Sequence, residues 1–131
     1  MKAFVLGALG ALAVLTAAAL IVPMYADYVT RAQSASWVAR ARAPTMAAIA
    51  EVAKRNGTVR GSGVGIALPD LGPEPPEHVQ ITEDGTLVMH GGRDGQFMVW
   101  TPVLVDDSVV WTCRGGSGRD VPSSCTVGGP R

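Results

Sequence analysis

The stretch that decides the fold runs from Ala3 to Ala26 and reads AFVLGALGALAVLTAAALIVPMYA. No charged side chain lies between Lys2 and Asp27, and Ala, Leu, Val and Ile dominate. At about 1.5 Å per helical residue, such a run crosses a hydrocarbon layer of roughly 30 Å. The stretch therefore predicts a membrane-spanning helix, and Lys2 favours the cytoplasmic side for its first end.

A secretory signal peptide is the competing interpretation, because it also combines a positive start, an apolar run and small residues such as Ala17, Ala18 and Ala19. The apolar region of a signal peptide is normally about 7–15 residues long. Here the apolar run continues through Leu20, Ile21 and Val22. This length favours a helix that is retained over one that is removed.

An amphipathic helix is expected to follow without a break, over residues 27–56. Its apolar residues recur at three- and four-residue steps, which is the helical period. They are Tyr28, Ala32, Ala35, Val38 or Ala39, Met46, Ile49 and Val52 or Ala53. This stripe is predicted to pack on a sheet, with kinks near Pro23 and Pro44 and a helix end at Asn56-Gly57.

The rest of the chain divides into a Gly- and Pro-rich loop at 57–77 and a β head at 78–131. Within the loop, Val64, Ile66, Ala67 and Leu68 are expected to attach it to the head. Four strands are predicted, and Asp84-Gly85, residues 91–95 and residues 106–108 supply the turns between them. Pro102 should lie at an edge or a bulge of the sheet. The predicted fold class is α+β, with a long helix on a four-stranded antiparallel sheet.

Charge is distributed unevenly, although the formal net charge is zero. Residues 27–60 carry six basic and two acidic side chains, whereas residues 61–131 carry nine acidic and four basic ones. Blocks of charge usually form solvated faces. The sharper hypothesis is that a basic stem on one subunit meets an acidic head on another, because complementary potentials set the register of an assembly.

The only two cysteines, Cys113 and Cys125, lie close together near the C-terminus and beyond the apolar helix. In an oxidising compartment such a pair usually forms a disulfide, which predicts a closed C-terminal loop. A metal pair is the alternative. The spacing is far from Cys-x-x-Cys, and His78 and His90 stand apart from the cysteines in the sequence, so no metal or other cofactor is predicted.

No catalytic constellation is found, and the sequence predicts a protein that is not an enzyme. His78 and His90 lack a defined nucleophile partner. Residues 61–65 resemble a phosphate loop only superficially, because they follow a helix and lack the Lys-Ser/Thr ending. Zero net charge gives no indication of DNA binding. Arg114 and Arg119, inside the cysteine loop, are the candidate surface contacts.

Two separated stretches resemble the type IV pilin family. Residues 23–32, PMYADYVTRA, are similar to the Pro-x-Tyr-x-Asp-Tyr-x-x-Arg-Ala segment where a pilin helix leaves its membrane half. Residues 110–113, VWTC, and 121–125, VPSSC, are similar to the two ends of the pilin disulfide loop. The order and separation of these motifs also suit that family.

The resemblance implies a pilin fold and a structural subunit that assembles through residues 1–26, a transmembrane or filament-core helix. The partners expected on this basis are other pilins in a homo- or heteropolymer, inner-membrane lipid before assembly, and the pilus assembly machinery. No small-molecule substrate is expected. The location would be the inner membrane, with the head outside the cytoplasm, and then an extracellular pilus. The residues assigned to the assembly helix are Phe4, Leu6, Leu12, Leu15, Leu20, Ile21, Pro23, Tyr25 and Tyr28.

The chain differs from the family pattern near its start. Counted back from Pro23, Leu6 takes the place of the family's glutamate and Met1 that of its cleaved glycine. Two alternatives therefore remain open. One is an unprocessed, membrane-anchored periplasmic binding module, and the other is a type II secretion pseudopilin.

Overall fold

The computed structural model describes residues 2–116 and 120–127, and for residues 2–6 and 127 it describes the backbone only. The helical part consists of α1 (Lys2–Ala41), a short kinked segment (Arg42–Met46) and α2 (Ala47–Asn56). The strands are β1 (His78–Ile81), β2 (Leu87–Gly91), β3 (Gln96–Val105), β4 (Ser108–Gly115) and β5 (Cys125–Val127). The architecture is therefore α+β, with one long N-terminal helical stem and one sheet.

The two prolines of the stem behave differently. Pro23 lies inside α1, which continues through it as one helix of 40 residues. At Pro44 the helix changes direction, because Ala43 has an extended backbone (φ −134°, ψ 123°). Proline disfavours the helical conformation of the residue before it, which accounts for Ala43. The kink predicted near Pro44 is present, whereas Pro23 does not interrupt the helix.

The sheet has five strands in the order β1-β2-β3-β4-β5. The first four pair antiparallel, but β5 pairs parallel to β4, with Cys113 opposite Cys125. The prediction of a four-stranded, purely antiparallel sheet was therefore wrong in strand number and in the last pairing. β5 is only three residues long, and the disulfide at its first residue holds it beside β4.

Pro102 lies within β3, which has a neighbouring strand on both sides over part of its length. The pairing of β2 with β3 ends at Leu87 and Trp100, whereas the pairing of β3 with β4 continues to Val105 and Ser108. Pro102 is therefore in the part of β3 that is paired on one side only. A proline is tolerated there because no second strand needs its missing N–H.

The buried face of the stem is not the one that its apolar period predicts. Tyr28 is 69% exposed, and Ala32, Ala35 and Ala39 are also exposed. The buried positions of α1 are Thr30, Ser34, Trp37, Val38 and Ala41. The predicted stripe is correct at Val38 and from Met46 onward, where Met46, Ile49 and Ala53 are buried. Thr30 and Ser34 can face inward because the head supplies hydrogen-bond partners for both hydroxyls.

The loop at 57–77 attaches to the head through a backbone contact. Gly63 donates its N–H to the carbonyl of Glu83 at 2.9 Å, and both Ser62 and Gly63 are buried. The predicted attachment through Val64 and Leu68 was wrong, because these side chains are 66% and 60% exposed. A side chain at Gly63 would collide with the backbone of Thr82, so only glycine permits this close approach.

Candidate functional site on the stem helix

The N-terminal half of α1 is an uncovered apolar surface. Every residue from Gly7 to Tyr25 is exposed. The helical stretch Gly7–Asn56 contains a segment with mean hydropathy 2.1, none of which is buried, and it is long and apolar enough to cross a membrane. A signal sequence near an N-terminus has the same length and hydropathy as a membrane-spanning helix. The contacts between the rest of the stem and the head are the further observation that bears on this distinction.

Most of the side chains assigned to the assembly helix lie on this exposed surface. The exposed fraction is 61% for Leu12, 67% for Leu15, 70% for Leu20, 62% for Ile21, 67% for Tyr25 and 69% for Tyr28. Pro23 is also exposed. Phe4 and Leu6 belong to α1, but their side chains lie outside the described part of the chain. None of the described members of this set contributes to the buried core of the head.

The second half of α1 is joined to the head by polar contacts around Gln96. The side-chain amide of Gln96 donates to the carbonyl of Thr30 at 3.2 Å and to Oε1 of Gln33 at 2.9 Å. The Thr30 hydroxyl donates to the carboxylate of Asp94 in the turn before β3. Gln96 is only 1% exposed, so its bond to the Thr30 carbonyl is buried, whereas the bonds to Gln33 and Asp94 are partly buried. Such shielded polar contacts hold one orientation of the stem against the sheet.

Further along the stem, polar anchors alternate with apolar packing. The indole N–H of Trp37 donates to the carbonyl of Glu74 at 2.9 Å, and the Ser34 hydroxyl donates to the carbonyl of Asp120 at 2.6 Å. The apolar cluster begins at Trp37 and includes side chains of the stem, the loop and the sheet. Its buried members are Trp37, Val38, Ala41, Met46, Leu71, Leu87, Met89, Met98, Trp100, Cys113, Val121 and Cys125.

The predicted disulfide is present between Cys113 on β4 and Cys125 on β5, whose Cα atoms are 4.5 Å apart. Both sulfur-bearing residues are buried, at 3% and 7% exposure, and they belong to the apolar cluster. The loop that they close carries Asp120, which accepts the hydrogen bond from Ser34 of the stem. The disulfide therefore supports the contact between the C-terminal segment and α1.

The described basic side chains of the stem lie at the surface. Arg31, Arg40, Arg42, Lys54 and Arg55 are exposed, and so is Arg60, which lies just beyond the end of the stem. A groove of about 340 Å³ lies between the stem and the disulfide loop and is lined by Ala35, Val38, Ala39, Arg42, Pro122 and Ser124. Arg114, predicted as a surface contact, is exposed on β4, whereas Arg119 lies outside the described residues.

No family model, curated protein or solved structure matches this chain. The function of the chain is therefore inferred from its own structure, in particular from the helical stem, the sheet and the disulfide. The described residues contain no group of three or more His, Cys, Asp or Glu side chains that could hold a metal ion.

Sequence reasoning missed the residues that join stem and head. Gln96 was predicted only as the first residue of a strand, and no prediction was made for Thr30 or Ser34. One signal was available: Thr30, Ser34, Trp37 and Ala41 follow one another at helical steps of three and four. The pattern was not visible from hydrophobicity, because two of its four members are hydroxyl residues.

Proposed function

We propose that this chain is a structural subunit of the type IV pilin kind, which assembles by packing its apolar helix against the helices of other subunits. The observation that carries the proposal is the exposed stretch from Gly7 to Tyr25, continuous with a stem that is fastened to the head. An apolar helix of this length is not stable in water and needs lipid or neighbouring helices around it.

The contacts that hold the stem against the head give the helix a role in assembly beyond membrane anchoring. Because Gln96 ties α1 to the sheet and Trp37 ties it to the loop at 57–77, a contact made by the apolar half fixes the position of the head as well. A flexible tether would not transmit position in this way. Repeated heterologous contacts between such rigid subunits that do not close into a ring produce a helical filament.

The disulfide and the charge at the start of the helix support the proposed compartment. A buried disulfide in a small head favours an oxidising location outside the cytoplasm. Lys2 favours the cytoplasmic side for the opposite end of the helix. The proposed location is the inner membrane before assembly and the cell surface afterwards, and the proposed partners are other pilins and the pilus assembly machinery.

The exposed basic side chains of the stem support a second component of assembly. Arg40 and Arg42 are exposed and can meet acidic side chains of a neighbouring head, where Glu83, Asp84, Asp106 and Asp107 are exposed. Apolar packing of the helices supplies the affinity in this scheme. The charges select the register between subunits.

Disulfide cross-linking in cells tests the proposal, because no described cysteine is free. Leu15→Cys and Tyr28→Cys place a thiol on the exposed face of α1, and Thr58→Cys places one beyond the end of α2 as a matched control. We expect oxidised dimers for each stem variant and a ladder of oxidised oligomers when both stem substitutions are combined, because one free thiol per chain can join only two chains. Thr58→Cys should give no cross-linked species, and the chain should be found in sheared surface filaments. Monomers alone, with an intact Met1-Lys2 terminus on a chain confined to membranes, would favour a tethered binding module instead.

A further inference from the structure

The two histidines of the chain, which are 12 residues apart in the sequence, are brought together by the first hairpin. His78 is the first residue of β1, and His90 lies directly opposite it on β2. Residues directly opposite each other in an antiparallel pair project to the same face, with Cβ atoms about 4.5–5.5 Å apart. The sequence alone treats these histidines as isolated, and the register of the hairpin makes them a pair.

This pair lies on the outer face of the sheet, away from the stem. Both histidines are exposed, whereas the next residues on the two strands, Val79 and Met89, face the core. Among the described residues, neither imidazole forms a hydrogen bond with a protein group. The imidazole of His90 makes an edge contact with the ring of Phe97, at 6.0 Å between centroids and 65° between planes. Phe97 thus borders His90 from β3, on the side opposite the strand that carries His78.

We propose that His78 and His90 together bind a divalent transition-metal cation of the Cu²⁺, Ni²⁺ and Zn²⁺ class. Neutral imidazole is a preferred ligand of these ions, with metal–nitrogen distances of about 2.0–2.1 Å for zinc. Two imidazoles on opposed Cβ atoms can reach one ion between them by rotation about their side-chain bonds. Since the described residues offer no third ligating side chain nearby, water completes the coordination.

The metal site does not depend on the role of the stem, because both histidines belong to the hairpin of β1 and β2. Binding of both imidazoles to one ion links β1, the edge strand, to β2 across the end of the hairpin opposite the Asp84-Gly85 turn. An ion that binds only the folded hairpin stabilises it by mass action. The outer edge of the head therefore becomes more resistant to opening when the ion is present.

Calorimetric titration of the full chain in detergent, without a polyhistidine tag, tests the site. We expect one Ni²⁺ or Zn²⁺ per chain, tighter binding of Cu²⁺ and weaker binding of Mn²⁺, which is the usual order for nitrogen sites. Mg²⁺ and Ca²⁺, which prefer oxygen ligands, should not bind. His78→Gln and His90→Gln should each weaken Ni²⁺ binding by about 100-fold, because the second imidazole acts at a high effective concentration.

Two further variants test whether binding requires two histidines opposite each other or only two histidines anywhere on the head. H90Q with S108H keeps two histidines but moves one to the exposed start of β4, and it should bind as weakly as His90→Gln. H78Q and H90Q combined with Q80H and V88H rebuild an opposed pair two residues along the same strands and should restore binding. Unchanged affinity in His78→Gln, or full affinity in the H90Q and S108H chain, would overturn the proposal.

Discussion

Gln96, the first residue of β3, donates its side-chain amide to the main-chain carbonyl of Thr30 in the stem helix at 3.2 Å. The same amide group donates to Oε1 of Gln33 at 2.9 Å. One buried side chain thus fixes both the distance and the rotation of the helix relative to the sheet. An interface of this kind is sensitive to the loss of a single partner, because the groups left behind stay buried.

Gln96→Met keeps the volume of the side chain and removes its hydrogen bonds. We expect it to lower the free energy of unfolding by about 1–3 kcal/mol, because the hydrogen bonds of Gln96 with Thr30, Gln33 and Asp94 are lost together. Gln80→Met is the matched control, because Gln80 lies on the exposed face of β1 and should change stability little. Urea unfolding of the full chain in detergent, followed by tryptophan fluorescence, measures both. Equal effects of the two substitutions would contradict the assigned role of Gln96.

Alanine substitutions at Gly92 and Gly95 distinguish the destabilisation caused by a steric clash from that caused by backbone strain. Both have a positive φ, of 87° and 67°, where an L-residue costs roughly 1–2 kcal/mol. A side chain at Gly92 would also collide with the indole ring of Trp37, whereas one at Gly95 would meet no neighbour within 4 Å. Gly92→Ala should therefore lower the unfolding midpoint clearly more than Gly95→Ala. Similar midpoints for the two variants would show that Trp37 does not pack against this turn.

Removal of the disulfide should destabilise the head and leave the membrane helix unaffected. The bond closes a loop with a sequence separation of 12, so Cys113→Ser with Cys125→Ser should lower stability by about 3 kcal/mol in the chain-entropy model. Thermal unfolding of the oxidised and the doubly substituted chains measures the loss, and membrane flotation measures insertion. Identical unfolding of the two forms would refute the prediction, as would a failure of the variant to insert.

Assembly should weaken at high salt if the exposed arginines of the stem contact acidic heads. The screening length falls from about 10 Å at 0.1 M salt to about 3 Å at 1 M, so contacts between exposed charges lose most of their effect. Arg42→Gln should reduce oligomer yield at low salt, and Arg60→Gln, beyond the end of the stem, is the matched control. Sedimentation across a salt series measures the yield. A yield that does not change with salt would leave apolar packing as the sole driving force.

Local signals were sufficient for the apolar helix and for the hairpins of the head. The long uncharged run predicts α1, and Asp84-Gly85 with the glycine-rich turn at 91–95 predicts the bounds of β2 and β3, because turn residues restrict where strands end. The turns predicted at 91–95 and 106–108 leave residues 96–105 for a strand, which agrees with β3 (Gln96–Val105). The predicted cysteine bridge is also present.

Features that depend on contacts between distant residues could not be predicted in the same way. β5 has three residues and no alternating pattern, and its parallel pairing depends on the bridge to Cys113. The buried side of the stem was misassigned because Thr30 and Ser34 are polar, and their burial is stabilised by Asp94 and Asp120, which are 64 and 86 residues away. Hydrophobicity carries no information about a partner so far along the chain.

The sequence by itself determined the long apolar helix, the turns and the position of the disulfide, because each depends on residue types within a short stretch. The tertiary structure decided which face of the stem meets the head and which faces outward. It also decided that His78 and His90 stand opposite each other. The physical reason is that burial of a polar side chain and juxtaposition of two ligands depend on what lies across the fold, and only the folded chain brings those partners together.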